Sequence, residues 1–238
     1  MRSLRKTFEA NILILLAIAT AASPLRAQNK PTPYPEMAPA DQYRMSRDAE
    51  IMLARSAAPP SISQDAEVLV LGQRSYETAA KGKNGFVCMV QRSWTASFDD
   101  PEFWNPKLRA PICLNSAAAR SYLPINLRKT KLVLSGYSKS QIVADIKSAF
   151  ESKELPPLEG DALGYMMSKE AYLSDHDGRW RPHLMLFAAE TDPSTWGAGM
   201  AGSPVLGFKD SPEHMTVFLI PVGTWSDGET ALPLGSNH

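Results

Sequence analysis

Ala66-Glu67-Val68-Leu69-Val70-Leu71, Lys81-Gly82-Lys83-Asn84-Gly85 and Phe86-Val87-Cys88-Met89-Val90-Gln91 decide the fold class of this chain. The outer two stretches are short, apolar and rich in branched side chains, the composition of buried strands. The middle stretch ends in Asn-Gly, a strong turn signal. Together they predict an antiparallel hairpin or meander, with Tyr76–Ala80 as a middle strand and Cys88 on one of its strands.

Helical spacing appears on either side. Upstream, Asp41 can cap a helix over residues 41–57 that stops at Pro59-Pro60. Downstream, residues 97–111 mix Phe98, Phe103 and Trp104 with aspartates and prolines and predict a long loop pinned by its aromatics. Asn115 or Ser116 can cap a short helix through Tyr122. Ser138 opens the clearest helix, with Ile142, Val143, Ile146, Ala149 and Phe150 at 3–4 spacing, ending before Pro156-Pro157. Four more strands follow, over residues 163–167, 184–188, 205–208 and 215–220, and Pro221 marks a strand end or an edge. No regular β-α-β beat is present. The expected class is therefore α+β, a mostly antiparallel sheet with two or three flanking helices.

The N-terminus reads differently. Arg2, Arg5 and Lys6 precede an apolar run over residues 12–22, and Leu25-Arg26-Ala27 follows. This is the layout of a cleaved secretory signal peptide over residues 1–27, with cleavage after Ala22 as the alternative. The apolar run is shorter than the roughly 20 residues a spanning helix needs, so no retained membrane span is expected. Residues 28–40 form a Pro-rich tether, and 41–238 a single domain. The predicted location is exported, periplasmic or extracellular.

Composition narrows the function classes. The signal segment holds four of the 25 basic residues (Arg2, Arg5, Lys6, Arg26) and one of the 25 acidic ones (Glu9). The mature chain thus keeps 21 basic and 24 acidic groups, a formal net charge of −3. No basic excess is available to neutralise phosphates, so nucleic acid is not an expected partner. Cys88 and Cys113 are the only cysteines. In an oxidising compartment they read as one disulfide, worth roughly 3 kcal/mol on a chain-entropy account. Two buried free thiols are the alternative.

Two constellations stand out. Asp175-His176-Asp177-Gly178-Arg179-Trp180-Arg181-Pro182-His183 gathers two imidazoles and two carboxylates before an apolar strand. Asp175, His176, Asp177 and His183 are the candidate catalytic residues, since a His–carboxylate pair suits general-base chemistry. The seven-residue gap between the histidines crosses a Gly and a Pro and matches no zinc-helix motif, and the later ligands of a calcium loop are missing. No resident metal or cofactor is expected, and an Asx-rich turn explains the same residues. His214 with Glu213 is a third contributor only if the fold brings it near. The second constellation is tryptophan in turn-rich sequence: Trp104, Trp180 and Trp196 are candidate ligand-binding residues, with packing onto the core as the alternative. No Gly-x-Ser-x-Gly elbow, P-loop or Gly-x-Gly-x-x-Gly fingerprint occurs, which removes support for α/β-hydrolase and nucleotide chemistry.

Asn84-Gly85-Phe86-Val87-Cys88, Arg92-Ser93-Trp94, Phe103-Trp104-Asn105-Pro106, Arg109-Ala110-Pro111-Ile112-Cys113 and Pro182-His183-Leu184-Met185 resemble a group of exported bacterial proteins with no assigned activity. The resemblance spans about half of the mature chain. It implies export and one shared domain, and brings no catalytic residue, cofactor or substrate. Three functions stay open: a module binding a small or extended ligand, a hydrolase or metal-assisted enzyme built on residues 175–183, and a structural or interaction partner of the cell envelope. The oligomeric state is unspecified. Export makes a direct prediction: N-terminal sequencing of the mature protein should start near Gln28, and retention of Met1 would refute cleavage.

Overall fold

The computed structural model describes residues 33–231. The expected signal peptide, its expected cleavage site and the expected tether up to residue 32 lie outside the described residues. An eight-stranded sheet carries the fold: β1 (Glu67–Leu71), β2 (Tyr76–Ala80), β3 (Val87–Gln91), β4 (Ala110–Leu114), β5 (Leu163–Met166), β6 (His183–Ala189), β7 (Leu206–Asp210) and β8 (Met215–Pro221), in the order β2-β1-β3-β4-β5-β6-β8-β7. Five helices flank it: α1 (Arg47–Arg55), α2 (Pro60–Ser63), α3 (Ser116–Ser121), α4 (Leu123–Leu134) and α5 (Lys139–Glu151). The class is α+β, with every strand pair antiparallel except β1 with β3.

That exception corrects the expected hairpin. β2 is a strand over the predicted residues, yet it lies outside β1, on the sheet edge, rather than between β1 and β3. A turn closed by the Gly72 amide on the Ser75 carbonyl, 2.8 Å, folds β2 back on β1. The Asn-Gly segment then passes beneath the start of β1 instead of joining neighbours. There the Lys83 amide donates to the Asp65 carbonyl and the Glu67 amide to the Phe86 carbonyl, both at 2.8 Å. A Cβ on Gly82 would sit 2.2 Å from the Glu67 nitrogen, so only glycine lets the chain cross this closely. Burial follows the order: β1 is buried along almost its whole length, while β2 exposes its middle.

β4 starts within the last two residues of the predicted loop and was masked by Pro111. A proline is expected only at a sheet edge, because it donates nothing to the ladder. Here the strand is central, and Pro111 pairs across from Val90 on β3. The amides of Arg109 and Asn115 both face away from β3, towards Tyr172 and Leu163. By alternation the missing Pro111 N–H faces the same way, where β5 reaches only Cys113 and Leu114. The proline therefore leaves no ladder partner unmet.

Alternation along the strands builds two cores. Val68, Cys88, Val90 and Cys113 face Leu53, Ala54 and Ala57 of the α1 segment. Cys88 and Cys113 are paired across β3 and β4 and form a fully buried disulfide, with Cα atoms 4.0 Å apart. On the opposite face Leu69, Met89, Ile112 and Leu114 pack with Ile125, Val133, Ile142 and Ile146 of α4 and α5. α5 starts at the predicted Ser138, whose hydroxyl and Gln141 form a reciprocal capping box. The helix predicted over 41–57 is instead a 3-10 turn, Ala40–Tyr43, followed by α1. The Tyr43 carbonyl accepts from Arg92 Nε at 2.6 Å, so it does not continue a helix. Pro60 opens α2 in its first turn.

The crossing beneath β1 can be tested by calorimetric or urea unfolding. Gly82→Ala should cost about 1–3 kcal/mol from forced overpacking. Gly160→Ala, where a Cβ meets nothing within 4 Å, should change stability by less than about 0.5 kcal/mol. Equal effects would show that the close crossing is not a constraint.

Candidate functional site

Strands β6, β8 and β7 receive less helical cover than β1, β3 and β4. The face they share with α3–α5 forms the floor of a cavity of about 480 Å³. Strand pairing orders that floor into rows. His183 stands opposite Pro221; Met185, Leu219 and Leu206 form the next row on this face; Phe187, Val217 and Phe208 the third; Ala189, Met215 and Asp210 the last. Two apolar rows thus separate a histidine at one end from a carboxylate at the other. The span from row 183 to row 189 is roughly 20 Å at strand rise. One wall comes from residues 95–108, including Ser97 and Asp100, and the other from residues 173–180, including Asp177 and Trp180.

The histidine end is built from the predicted segment. His183 is 2% exposed. Its Nδ1 lies 2.6 Å from the Arg181 carbonyl, which can only accept, so Nδ1 carries the proton. Nε2 is then an acceptor, without a hydrogen-bond partner among the described residues. Burial lowers the His183 pKa and keeps the ring neutral. Trp180 packs edge-on against the imidazole, with centroids 4.6 Å apart.

The acidic end was not assembled by the sequence. Asp210, 8% exposed, caps the 3-10 turn Ser211–Glu213 by accepting the Glu213 amide. Glu213, 2% exposed, forms an ion pair with Lys129 of α4, which is fully buried. The Lys129 ammonium also donates to the Ala96 carbonyl at 2.9 Å and lies 4.3 Å from the Phe98 ring centroid. Burial pushes the Glu213 carboxyl up to about 7 despite the lysine, and raises Asp210 as well. Tyr122 lies between the ends. It stacks on Phe187 at 3.7 Å, its hydroxyl accepts from Gln91 Nε2, and burial lifts its pKa to about 12.

The other candidates lie elsewhere. Asp175 is a surface latch: its carboxylate accepts from Tyr172 and Tyr34 hydroxyls and pairs with Lys107. Those bonds, Tyr172 first, lower its pKa to about 2. Tyr34, Met37 and Ala38 pack on the core, so the described end of the tether is strapped to the domain. His176 is exposed and hydrogen-bonds only its neighbour Asp177. Trp104 is buried in the core, and Trp196 stacks on Phe218 at 4.4 Å, on the sheet face away from the cavity. Of the four-residue constellation, Asp177 and His183 reach the cavity; of the three tryptophans, Trp180 does. His214 is exposed against Phe150, while its neighbour Glu213 turns inward.

No group of three His, Cys, Asp or Glu among the described residues is placed to hold a metal ion, and no helix among them is long and apolar enough to cross a membrane. No family model, curated protein or solved structure matches the chain.

The buried pair gives a sharp test by urea unfolding. Glu213→Gln strands the Lys129 charge and should cost about 3–5 kcal/mol; Lys129→Met together with Glu213→Leu should recover most of that. Lys129→Met alone should cost more at pH 8 than at pH 5. A lone Glu213 with a raised pKa is neutral at the lower pH and becomes a buried charge as pH rises. Additive, pH-independent losses would show that the two groups are not coupled.

Proposed function

We propose that the protein is an exported module that binds a small, elongated and largely apolar ligand in the groove over β6, β8 and β7. The observation that carries this reading is the double apolar row on the cavity floor. A cavity of about 480 Å³ falls within the size of small-molecule sites, and such sites pair apolar walls with a few placed polar groups. Leu206 and Phe208 also remain exposed on the edge strand, 37% and 55%, where a ligand would cover them. Export is supported by the buried disulfide, which suits an oxidising compartment. The resemblance to exported bacterial proteins belongs to the same proposal. Hydrolysis by residues 175–183 would rest on Asp177 and His183 alone, because Asp175 and His176 point elsewhere.

Titration with the neutral apolar dye Nile red should give saturable fluorescence at one site per chain. Leu206→Ser/Phe208→Ser, on an exposed edge, should weaken it roughly tenfold while unfolding stays cooperative. Absence of saturable binding, or binding unaffected by these changes, would overturn the groove as the site.

A further inference from the structure

The two ends of the groove differ in chemistry, and that difference goes to the ligand's identity. At the Asp210 end, Asp99, Asp100, Asp210 and Glu213 act on one another against Lys129 and Lys139, an acid excess of two. Lys129 is committed to Glu213 and to a carbonyl. Lys139 lies over the Phe103 ring, 4.7 Å from its centroid. Lys209 also borders the cavity, although alternation along β7 sets its Cβ on the opposite face from Phe208 and Asp210, and its charge acts on Asp192. Arg92, which borders the cavity, is fully buried and bound to Glu50 at 2.8 Å. Among the described residues that border the cavity, Lys209 is thus the one cation without an ion pair, and the carboxylates at this end still outnumber it.

The second, independent observation is at the opposite end. His183 is almost fully buried and borders the cavity, with Nε2 available only as an acceptor. An acceptor that borders the cavity and has no protein partner can take a hydrogen bond from a donor on a ligand. A fatty carboxylate fits neither end: it would meet like charge at Asp210 and offer His183 no proton.

We infer that the groove takes a linear aliphatic amine, its ammonium against Asp210 and Glu213 and its far end carrying a hydroxyl or second amine that donates to His183. This rests on the groove being the binding site. Charge-assisted hydrogen bonding of the ammonium to Asp210 sets the preference, and the two apolar rows hold the chain between.

Isothermal titration of the full mature chain below micellar concentrations tests it, with 12-amino-1-dodecanol, dodecylamine, 1-dodecanol and dodecanoate as probes. Both amines should bind roughly ten- to hundredfold tighter than dodecanoate, and 12-amino-1-dodecanol tightest. Asp210→Asn keeps an oxygen to cap the Ser211–Glu213 turn but removes the charge. It should erase the amine preference and leave 1-dodecanol unchanged. Equal binding of dodecanoate and dodecylamine, or a preference that survives Asp210→Asn, would overturn the inference while leaving the groove as an apolar site. Failure of all four chains to bind would remove the groove reading itself.

Discussion

A charge taken out of water must bring its counter-charge with it. Lys129 is where this constraint shapes the molecule. It is the one charged side chain on the buried face of α4, and its partner Glu213 is 84 residues away. Joining them fixes the turn between β7 and β8 against α4. That contact sets where the outer half of the sheet lies relative to the helices, and so closes one end of the groove. Arg92 and Glu50 make a second buried pair, which ties the end of β3 to α1 and to the last amide of β1. The groove lies on the sheet between these two anchors.

The same economy explains why the outer strands differ from the inner ones. α1 covers β1, β3 and β4 on one face, and α3–α5 cover the other. Sheet and helices are apolar where they meet, and the disulfide occupies a position too dry for any polar group without a partner. At β6, β8 and β7 that helical cover thins. The loop over residues 97–108 and the turn over residues 172–180 wall the face instead, held by buried aromatics and by the Asp175 latch. A cavity walled by loops on a rigid sheet suits selection among ligands, because the floor is fixed and the walls carry the polar groups.

Legibility in the sequence followed how local each cause was. α5 was readable because its cap, its apolar stripe and its stop lie within one stretch. β1, β2 and β3 were readable as strands for the same reason. α4 was missed because Asn126, Lys129 and Thr130 lie on its buried side and break the apolar period. Thr130 is there to accept the Trp94 indole N–H at 2.9 Å, a partner the local sequence does not reveal. Half of the candidate site was visible: His183 and Trp180 lie beside each other in the chain. Glu213 entered only beside His214 as a contributor the fold would have to bring near, and Asp210 carried no signal in the sequence.

The sequence by itself determined the strands other than β4, the capped helix, the acidic balance and the lone pair of cysteines, since each depends on residue type and near-neighbour spacing. Tertiary structure alone decided that β1 and β3 run parallel, that a proline occupies a central strand, and that Lys129 meets Glu213. Strand order depends on a glycine crossing a backbone at van der Waals range, and ion pairing on desolvation of groups far apart in the chain. Neither leaves a periodic trace in the residues around it.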